Sequence, residues 1–175
     1  MRTYLLAAVV LAGCSRASAP ATATLAATDF ENLSGWLADQ PVRETLTKQQ
    51  AHSGSYSTSV RPGQDFSLGY NNALSQLAAD RPTRLQISAW VQQTGAAPGP
   101  KLVTELKSAS GSRLLWEGLD IAPVAKVPGK WYRVEQTITL PATAAPDSRL
   151  LVYLWRADST TPTYLDDLQI ASAAP

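Results

Sequence analysis

The chain carries at residues 84–93 the segment RLQISAWVQQ, in which two kinds of side chain alternate. Every second residue from Leu85 to Val91 is apolar, and the residues between them are mainly polar. Successive side chains of a β-strand point to opposite faces of a sheet, so this spacing predicts a strand with one face on a core. Other segments of the chain show a related pattern.

Residues 132–140 and 102–106 alternate in the same way, and residues 149–156 are more continuously apolar, as expected of a strand covered on both faces. Turn signals rich in Gly, Pro and Ser separate the candidate strands at spacings of roughly 8–15 residues. The sequence therefore predicts an all-β fold, a two-sheet antiparallel β-sandwich (jelly roll), with at most one helical turn at 75–80. Shorter candidate strands lie at 42–46, 56–60, 66–74, 113–116 and 163–170.

The composition limits the classes of function. The chain has 175 residues with 15 Lys and Arg against 14 Asp and Glu, which suits one domain with a tether. Balanced charge argues against a nucleic-acid partner, which needs a basic surface. One Cys and one His exclude a disulfide framework, a Cys-based zinc site and a His-rich metal centre. Charged residues make up only 17%, which is typical of an extracytoplasmic β-protein.

The N-terminal residues have the features of an export signal. A positive start is followed by an apolar run at 4–12, shorter than the about 20 residues that span a bilayer as a helix. The run ends in the sequence LAGC at 11–14, which resembles the lipobox of bacterial lipoproteins. The resemblance implies that residues 1–13 are a signal peptide and that Cys14 becomes the lipidated first residue.

Lipidation places the domain at a membrane. Two or three acyl chains give stable attachment, whereas one chain is marginal. Ser15 follows the Cys where an Asp would favour inner-membrane retention, so the expected location is the cell envelope at the outer membrane, on either its periplasmic or its surface side. Residues 14–28, rich in Ala, Ser and Thr, are predicted to be a flexible tether, and 29–175 the β-sandwich domain. Envelope proteins are expected as further partners.

Five short pieces of sequence follow one another over residues 29–172, and each marks a strand or a turn. Together they resemble the carbohydrate-binding modules of the galactose-binding-like jelly-roll superfamily, in particular the CenC-type group of families 4, 9 and 22. The resemblance supports the predicted fold and implies that the chain binds a polysaccharide or oligosaccharide. The pieces are DFE at 29–31 with Gly35-Trp36, HSGSYS at 52–57, 85–91 with Trp90, GKW at 129–131, and YLDDLQI at 164–170.

The resemblance also implies a structural calcium ion (Ca2+) that joins both ends of the domain to one turn. Carried over by position, Glu31 and Asp166 supply carboxylates, and Asp29, Ser53 and Tyr56 supply mainly backbone carbonyls. A hard cation takes six to eight such oxygen ligands. The alternative is that Glu31 is a surface acid and that Asp166 only ends a strand.

A sugar-binding surface needs exposed aromatic rings beside polar groups, because sugars present both C–H faces and hydroxyls. The resemblance assigns Trp36, Trp90 and Trp131 to packing, which leaves Trp116 and Trp155 for the ligand. Glu105, Lys107 and Arg156 are polar residues on neighbouring strands, and several such residues are expected on one concave face. The predicted carbohydrate-binding residues are Trp116, Tyr70, Phe66, Trp155, Gln86, Gln92 and Arg113, with Trp116 and Tyr70 as the preferred pair. The alternative is that Trp155 is a core residue and that Phe66 packs beneath a loop.

Catalysis has little support in the sequence. The sequence contains no phosphate loop, nucleotide fingerprint or HExxH motif. Asp166 and Asp167 are adjacent on a predicted strand, so they are expected to point to opposite faces and cannot flank one glycosidic bond. The sequence therefore predicts a non-enzyme, a lipid-anchored module that holds glycan at the cell envelope. The alternative is a structural or protein-interaction β-sandwich without sugar specificity.

Overall fold

The computed structural model describes residues 23–36 and 45–173. Within these ranges the chain forms ten β-strands and one short helix. In chain order they are β1 (Thr24–Thr28), β2 (Leu46–Thr47), β3 (Ser57–Val60), β4 (Tyr70–Ala73), α1 (Leu74–Leu77), β5 (Arg84–Gln93), β6 (Lys101–Lys107), β7 (Arg113–Asp120), β8 (Trp131–Thr139), β9 (Arg149–Trp155) and β10 (Thr163–Ser172).

The strands form two antiparallel sheets. One sheet has six strands in the order β2-β3-β10-β5-β8, with β1 as a further partner of β10. The other has four strands in the order β4-β9-β6-β7. Along one edge of β10, Thr163–Leu165 pair with β3 and Leu168–Ala171 pair with β1. The predicted two-sheet antiparallel sandwich is confirmed.

The core lies between the two sheets. Leu85, Ile87 and Val91 on β5 are fully buried, which confirms the sidedness that the alternation predicted. From the other sheet, Leu102 on β6 and Val152 on β9 belong to the same buried cluster. The two sheets therefore interdigitate through the residues of one face of each, as in other β-sandwiches.

Strand β9 explains the continuous apolar run at 149–156. Its inward residues, including Leu150 and Leu154, are fully buried. Its outward residues are half-buried, and they include Tyr153 and Trp155. The prediction that both faces of this strand are covered is thus confirmed in part, because aromatic neighbours shield the outer face.

The predicted tether at 14–28 is wrong at its end. Residues Thr24–Thr28 form β1, which pairs with β10, and Leu25 and Ala26 pack against the core. Small Ala and Thr side chains hid this strand, because their composition is also that of a linker. Residues 1–22, including the predicted signal peptide and Cys14, lie outside the described ranges, as do 37–44. Among the described residues no helix is both long enough and apolar enough to span a membrane.

Candidate functional site

The outer face of the four-stranded sheet carries the candidate site. Because side chains alternate along each strand, the residues between the buried core positions point to solvent. The strand register pairs Glu105 on β6 with Trp116 on β7, and Val103 with Tyr153 on β9. Trp155, two residues along β9, lies on the same face, and Phe66 joins it through an isolated bridge.

Four aromatic side chains on this face form what we call the aromatic cluster: Phe66, Trp116, Tyr153 and Trp155. The Phe66 and Tyr153 ring centroids lie 5.7 Å apart and the rings meet edge to face. The Trp116 and Trp155 rings meet at 80° with centroids 6.2 Å apart. Phe66 is 52% exposed and Trp116 is 37% exposed, so the cluster offers apolar ring surface to a ligand. A C–H face of a sugar packs on such a surface.

Two grooves of about 410 Å³ each adjoin the cluster and share Phe66, Tyr153 and Arg113 as lining residues. Glu105, which is 4% exposed, lies in the wall of the first groove. Its Oε1 accepts a hydrogen bond from Arg113 Nε at 2.9 Å, and its Oε2 lies 3.6 Å from Lys107 Nζ. The buried carboxylate thereby holds two cations at the groove, where they can bind sugar oxygens.

Tyr153 adds a phenol to this polar group. Its Oη donates a hydrogen bond to Glu105 Oε2 at 3.4 Å. Burial raises the pKa of the Tyr153 phenol, and the negative charge of Glu105 raises it further. The hydroxyl therefore keeps its proton across the physiological range and can accept a hydrogen bond from a ligand while donating to Glu105.

The structure places four predicted sugar-binding residues together. Trp116, Trp155, Phe66 and Arg113 all line the second groove. The alternative that Phe66 packs beneath a loop is wrong, because more than half of it is exposed. Sequence reasoning missed Tyr153, although it lies two residues before Trp155 on β9 and alternation therefore puts it on the same outer face.

Tyr70, half of the preferred pair, is not an exposed ligand contact. It is 2% exposed, and its register partner on β9 is the buried Val152, so it faces the core. Its ring meets Trp36 edge to face at a centroid distance of 5.4 Å. The resemblance placed both Phe66 and Tyr70 near the position of a flanking aromatic, and the structure puts only Phe66 on the outer face.

Gln86 and Gln92 are also not part of this face. Both point outward from β5, which belongs to the six-stranded sheet, so they lie on the opposite side of the sandwich. Gln86 donates to a Glu135 carboxylate oxygen, and Gln92, only 3% exposed, donates to the Gly129 carbonyl at 3.0 Å. The alternation along β5 identified their common face but not the sheet to which that face belongs.

Of the three Trp residues assigned to packing, only Trp36 is a core residue, with 5% exposure. Trp90 and Trp131 are half-buried on the outer face of the six-stranded sheet. His52 stacks on Trp90 with centroids 3.9 Å apart, and its ring meets Trp131 edge to face at 5.7 Å. The turn that carries His52 therefore covers these two indoles from outside, instead of the opposite sheet covering them from inside.

The residues predicted to bind calcium meet at that same turn, at 52–56. Glu31 Oε1 accepts hydrogen bonds from the backbone N–H groups of Ser55 and Tyr56 at 2.6 and 2.7 Å. Asp166 Oδ2 accepts them from His52 and Ser53 at 2.7 and 3.1 Å. Both carboxylates thus join distant parts of the chain to one turn through direct hydrogen bonds.

The chemistry of these contacts does not fit a calcium ion, which needs oxygen ligands. Four N–H groups of the turn face the carboxylates and satisfy them. The Asp29 carboxylate, in turn, accepts a hydrogen bond from the Glu31 N–H at 3.1 Å. Among residues 23–36 and 45–173 no group of three or more His, Cys, Asp and Glu could hold a metal ion. Calcium binding stays a prediction of the resemblance.

Asp166 and Asp167 do not point to opposite faces as expected. The pairing of β10 with β5 is irregular between Asp166 and Gln169, and Asp167 has a positive φ of 46°. This bulge turns the Asp167 carboxylate to the same turn, where Oδ2 lies 2.5 Å from His52 Nδ1. Burial raises the pKa of the Asp166 carboxyl, while hydrogen bonds from backbone N–H groups act in the opposite direction. Both side chains are therefore engaged in holding the turn.

Comparison with known proteins adds to this geometry. Residues 22–162 match the model of a family described as a carbohydrate-binding domain. No curated protein matches the chain at a significant level.

Several solved structures are similar to this chain. The CBM22-1 xylan-binding domain of Paenibacillus barcinonensis Xyn10C has 20% identity and a TM-score of 0.54, over 90% of this chain and 100% of that one. The CBM22-1-GH10 modules of Clostridium thermocellum Xyn10B, complexed with xylohexaose, have 19% identity and a TM-score of 0.59, over 87% of this chain and 29% of that one. A family 16 carbohydrate-binding module has 16% identity and a TM-score of 0.54, over 82% and 94%. At these identities the likeness shows the jelly-roll fold.

Proposed function

Because the chain belongs to the carbohydrate-binding domain family that its residues 22–162 match, we propose that it is a non-catalytic module that holds a xylan-type polysaccharide at the cell envelope. The aromatic cluster and its two grooves are the binding surface in this proposal. The ligand is a chain of sugars whose C–H faces pack on the rings and whose hydroxyls bind the polar groups beside them.

One observation carries the assignment of the site: the aromatic cluster is exposed on a face that also presents buried, oriented polar groups. A face that serves only to be covered by another protein does not need a carboxylate that is 4% exposed and bonded to two cations and a phenol. Burying such a group costs free energy unless its bonds are made, and here those bonds hold Arg113, Lys107 and Tyr153 at the groove, which supports a polar ligand.

The choice of xylan rests on similarity of fold. The solved structures with the same fold include a domain described as xylan-binding and a pair of CBM22-1-GH10 modules complexed with xylohexaose. A xylan chain has no C6 hydroxymethyl groups, so both faces of its rings are open to stacking. A face that offers Trp116 at one side and Phe66 at the other suits a ligand of this kind.

Attachment to the envelope is the second part of the proposal. The apolar run at 4–12 and the LAGC sequence at 11–14 support lipidation of Cys14 and location at the outer membrane. In that setting the module retains polysaccharide beside envelope proteins that degrade or import it. Labelling with a fatty-acid analogue, compared between the chain and its Cys14→Ser variant, tests this part alone.

The binding proposal is tested with purified protein and a panel of soluble xylans, β-glucans and mannans, by isothermal titration calorimetry. We expect the affinity for xylan to fall at least about 5-fold in the Trp155→Ala variant, because stacking of one sugar ring contributes on the order of 1 kcal/mol or more. The matched control is Trp90→Ala, which removes a half-buried indole from the opposite face and leaves the affinity unchanged.

Absence of binding to every glycan by a folded protein contradicts the proposal and favours the alternative, a protein-interaction domain. Equal losses in the Trp155→Ala and Trp90→Ala variants contradict the assignment of the site while leaving sugar binding in place.

A further inference from the structure

A row of cations crosses the candidate face beside the aromatic cluster. Lys107 on β6 pairs in register with Arg113 on β7 and with Arg149 on β9, so all three side chains leave the sheet on the same side. We call these three residues the cationic row. Adjacent strands lie about 4.8 Å apart, so the row spans roughly 10 Å of the sheet.

Two members of the row share one carboxylate. Glu105 bonds to Arg113 and lies within ion-pair distance of Lys107, and no other ion pair of these two cations occurs within the described ranges. Like charges directly opposite each other across a strand pair destabilise a sheet. One buried carboxylate compensates one of the two cations, so the groove keeps an excess of positive charge. Arg149, which donates to Asn71 Oδ1 at 3.2 Å, is not needed for this argument.

The two cations are available to a ligand. The Arg113 side chain is 64% exposed and that of Lys107 is 37% exposed. Arg113 uses Nε for Glu105, so its terminal nitrogens can take a second acceptor. A guanidinium held in this way is suited to bidentate recognition of a carboxylate, which a neutral sugar does not supply.

The row is also at the right distance from the aromatic cluster. Trp116 shares a register row with Glu105, which is two residues along β6 from Lys107. Two residues of a strand span about 7 Å. A substituent on a sugar stacked at Trp116 therefore reaches the cations, whereas the Lys101–Asp120 ion pair at the far end of the face is already balanced.

We propose that the polysaccharide is an acidic xylan, an inference that rests on the proposed function. Its uronic acid substituents carry carboxylates, and Lys107 and Arg113 bind these carboxylates. Glu105 is a positioning residue in this site, because it orients both cations and does not itself contact the carboxylate.

The test compares a glucuronoxylan with the same preparation after chemical reduction of its carboxyl groups to alcohols. Titration calorimetry at about 50 mM and 300 mM salt gives the ratio of the two affinities. We expect the acidic form to bind about 5- to 10-fold more tightly at low salt, and this ratio to shrink at high salt because exposed charges are screened.

Variants locate the preference. In Lys107→Met with Arg113→Met the ratio is expected to fall close to 1. The matched control is Arg133→Gln, a change at an exposed cation on the opposite face, which keeps the ratio. Thermal melts of each variant show that the fold is retained.

The results distinguish failure of the acidic-ligand inference from failure of the proposed xylan-binding function. Equal affinity for the native and the reduced xylan overturns the acidic-ligand inference and leaves xylan binding in place. Binding to neither form overturns the proposed function as well. A ratio that survives the double substitution overturns the role of the cationic row, and equally tight binding of polygalacturonate overturns the assignment to a xylan backbone.

Discussion

The Trp116 indole lies against Gly118, the residue two positions along β7 on the same face. A Cβ built on Gly118 comes to 2.6 Å from Trp116 Cη2, closer than two carbon atoms can approach. The absence of a side chain at Gly118 is therefore what lets the ring lie along the strand instead of standing away from it. This glycine shapes the aromatic cluster without being part of it.

Gly118→Ala is expected to displace the Trp116 ring and to weaken xylan binding several-fold, while the melting temperature changes little because the site is at the surface. In the Trp116→Ala background the same substitution has no ring to move, so it adds no further loss. Calorimetry on the four proteins of this cycle measures the coupling between the two positions. Additive losses would show that Gly118 does not act through Trp116.

Removal of the hydroxyl should change the stability of the protein at Tyr70 and its affinity for the polysaccharide at Tyr153. Tyr70 Oη is buried without a hydrogen-bond partner among the described residues, so Tyr70→Phe is expected to raise the free energy of unfolding by about 1 kcal/mol. Its affinity for the polysaccharide stays unchanged. Tyr153→Phe removes a hydroxyl of the binding face and should weaken binding a few-fold. Urea denaturation and calorimetry on both variants check this, and a loss of affinity in Tyr70→Phe would return that residue to the site.

Tyr70 also predicts a pH dependence. Burial raises its pKa to about 12, against 10.0 for the free side chain. Between these values the unfolded chain loses this proton and the folded chain keeps it, so the free energy of unfolding falls as pH rises, by at most about 1.4 kcal/mol per pH unit. This contribution is fully present below pH 10. Denaturation at pH 9, 10 and 11 should show the advantage of Tyr70→Phe growing with pH; a constant advantage would contradict the shift.

The turn at 52–56 predicts an outcome for metal removal. Because N–H groups already satisfy Glu31 and Asp166, we expect the melting temperature to be the same with EDTA as with excess calcium. Glu31→Ala, by contrast, removes the acceptor of two short bonds and should cost about 1 kcal/mol of stability in either buffer. A melting temperature that falls by several degrees with EDTA and recovers with calcium would establish the ion that the resemblance implied.

Local patterns in the sequence predicted which side chains share a face, but not which sheet presents that face. The alternation at 84–93 gave β5 and its buried residues from Leu85 to Val91 correctly. It could not place Gln86 and Gln92, because the partners of β5 are β8 and β10, and these pairings depend on residues 39 or more positions away. Long-range pairing is the step that a period of two residues leaves open.

The candidate site was predictable where a large ring stood on a polar face, and not where the backbone was irregular. Trp116 was assigned to the ligand by the resemblance, and it lies beside Glu105 on the outer face. Arg113 is three residues away, so alternation alone would put it on the other face. The irregular register of β6 and β7 between Leu106 and Lys107 brings it to the same face.

Phe66 and Tyr70 are four residues apart, so alternation along one strand would put them on the same face. The regular strand begins only at Tyr70, and Phe66 joins the sheet through one bridge, so the two rings lie on different faces. Asp167 was misplaced because a bulge reverses its side chain, and nothing in the local sequence distinguishes that bulge from continued strand.

The pairing of β1 with β10 has a mechanical consequence. Whatever precedes residue 23 pulls on the domain at Thr24, where the register with β10 is already irregular and the side chain is exposed. In the proposed lipid-anchored state, tension between the membrane and a bound polysaccharide would enter the domain at β1, so we expect these five residues to separate from β10 before the other strands separate. The aromatic cluster is on the other sheet, so separation of β1 leaves its residues in place. The released residues of β1 would then lengthen the connection to the membrane before the polysaccharide dissociates.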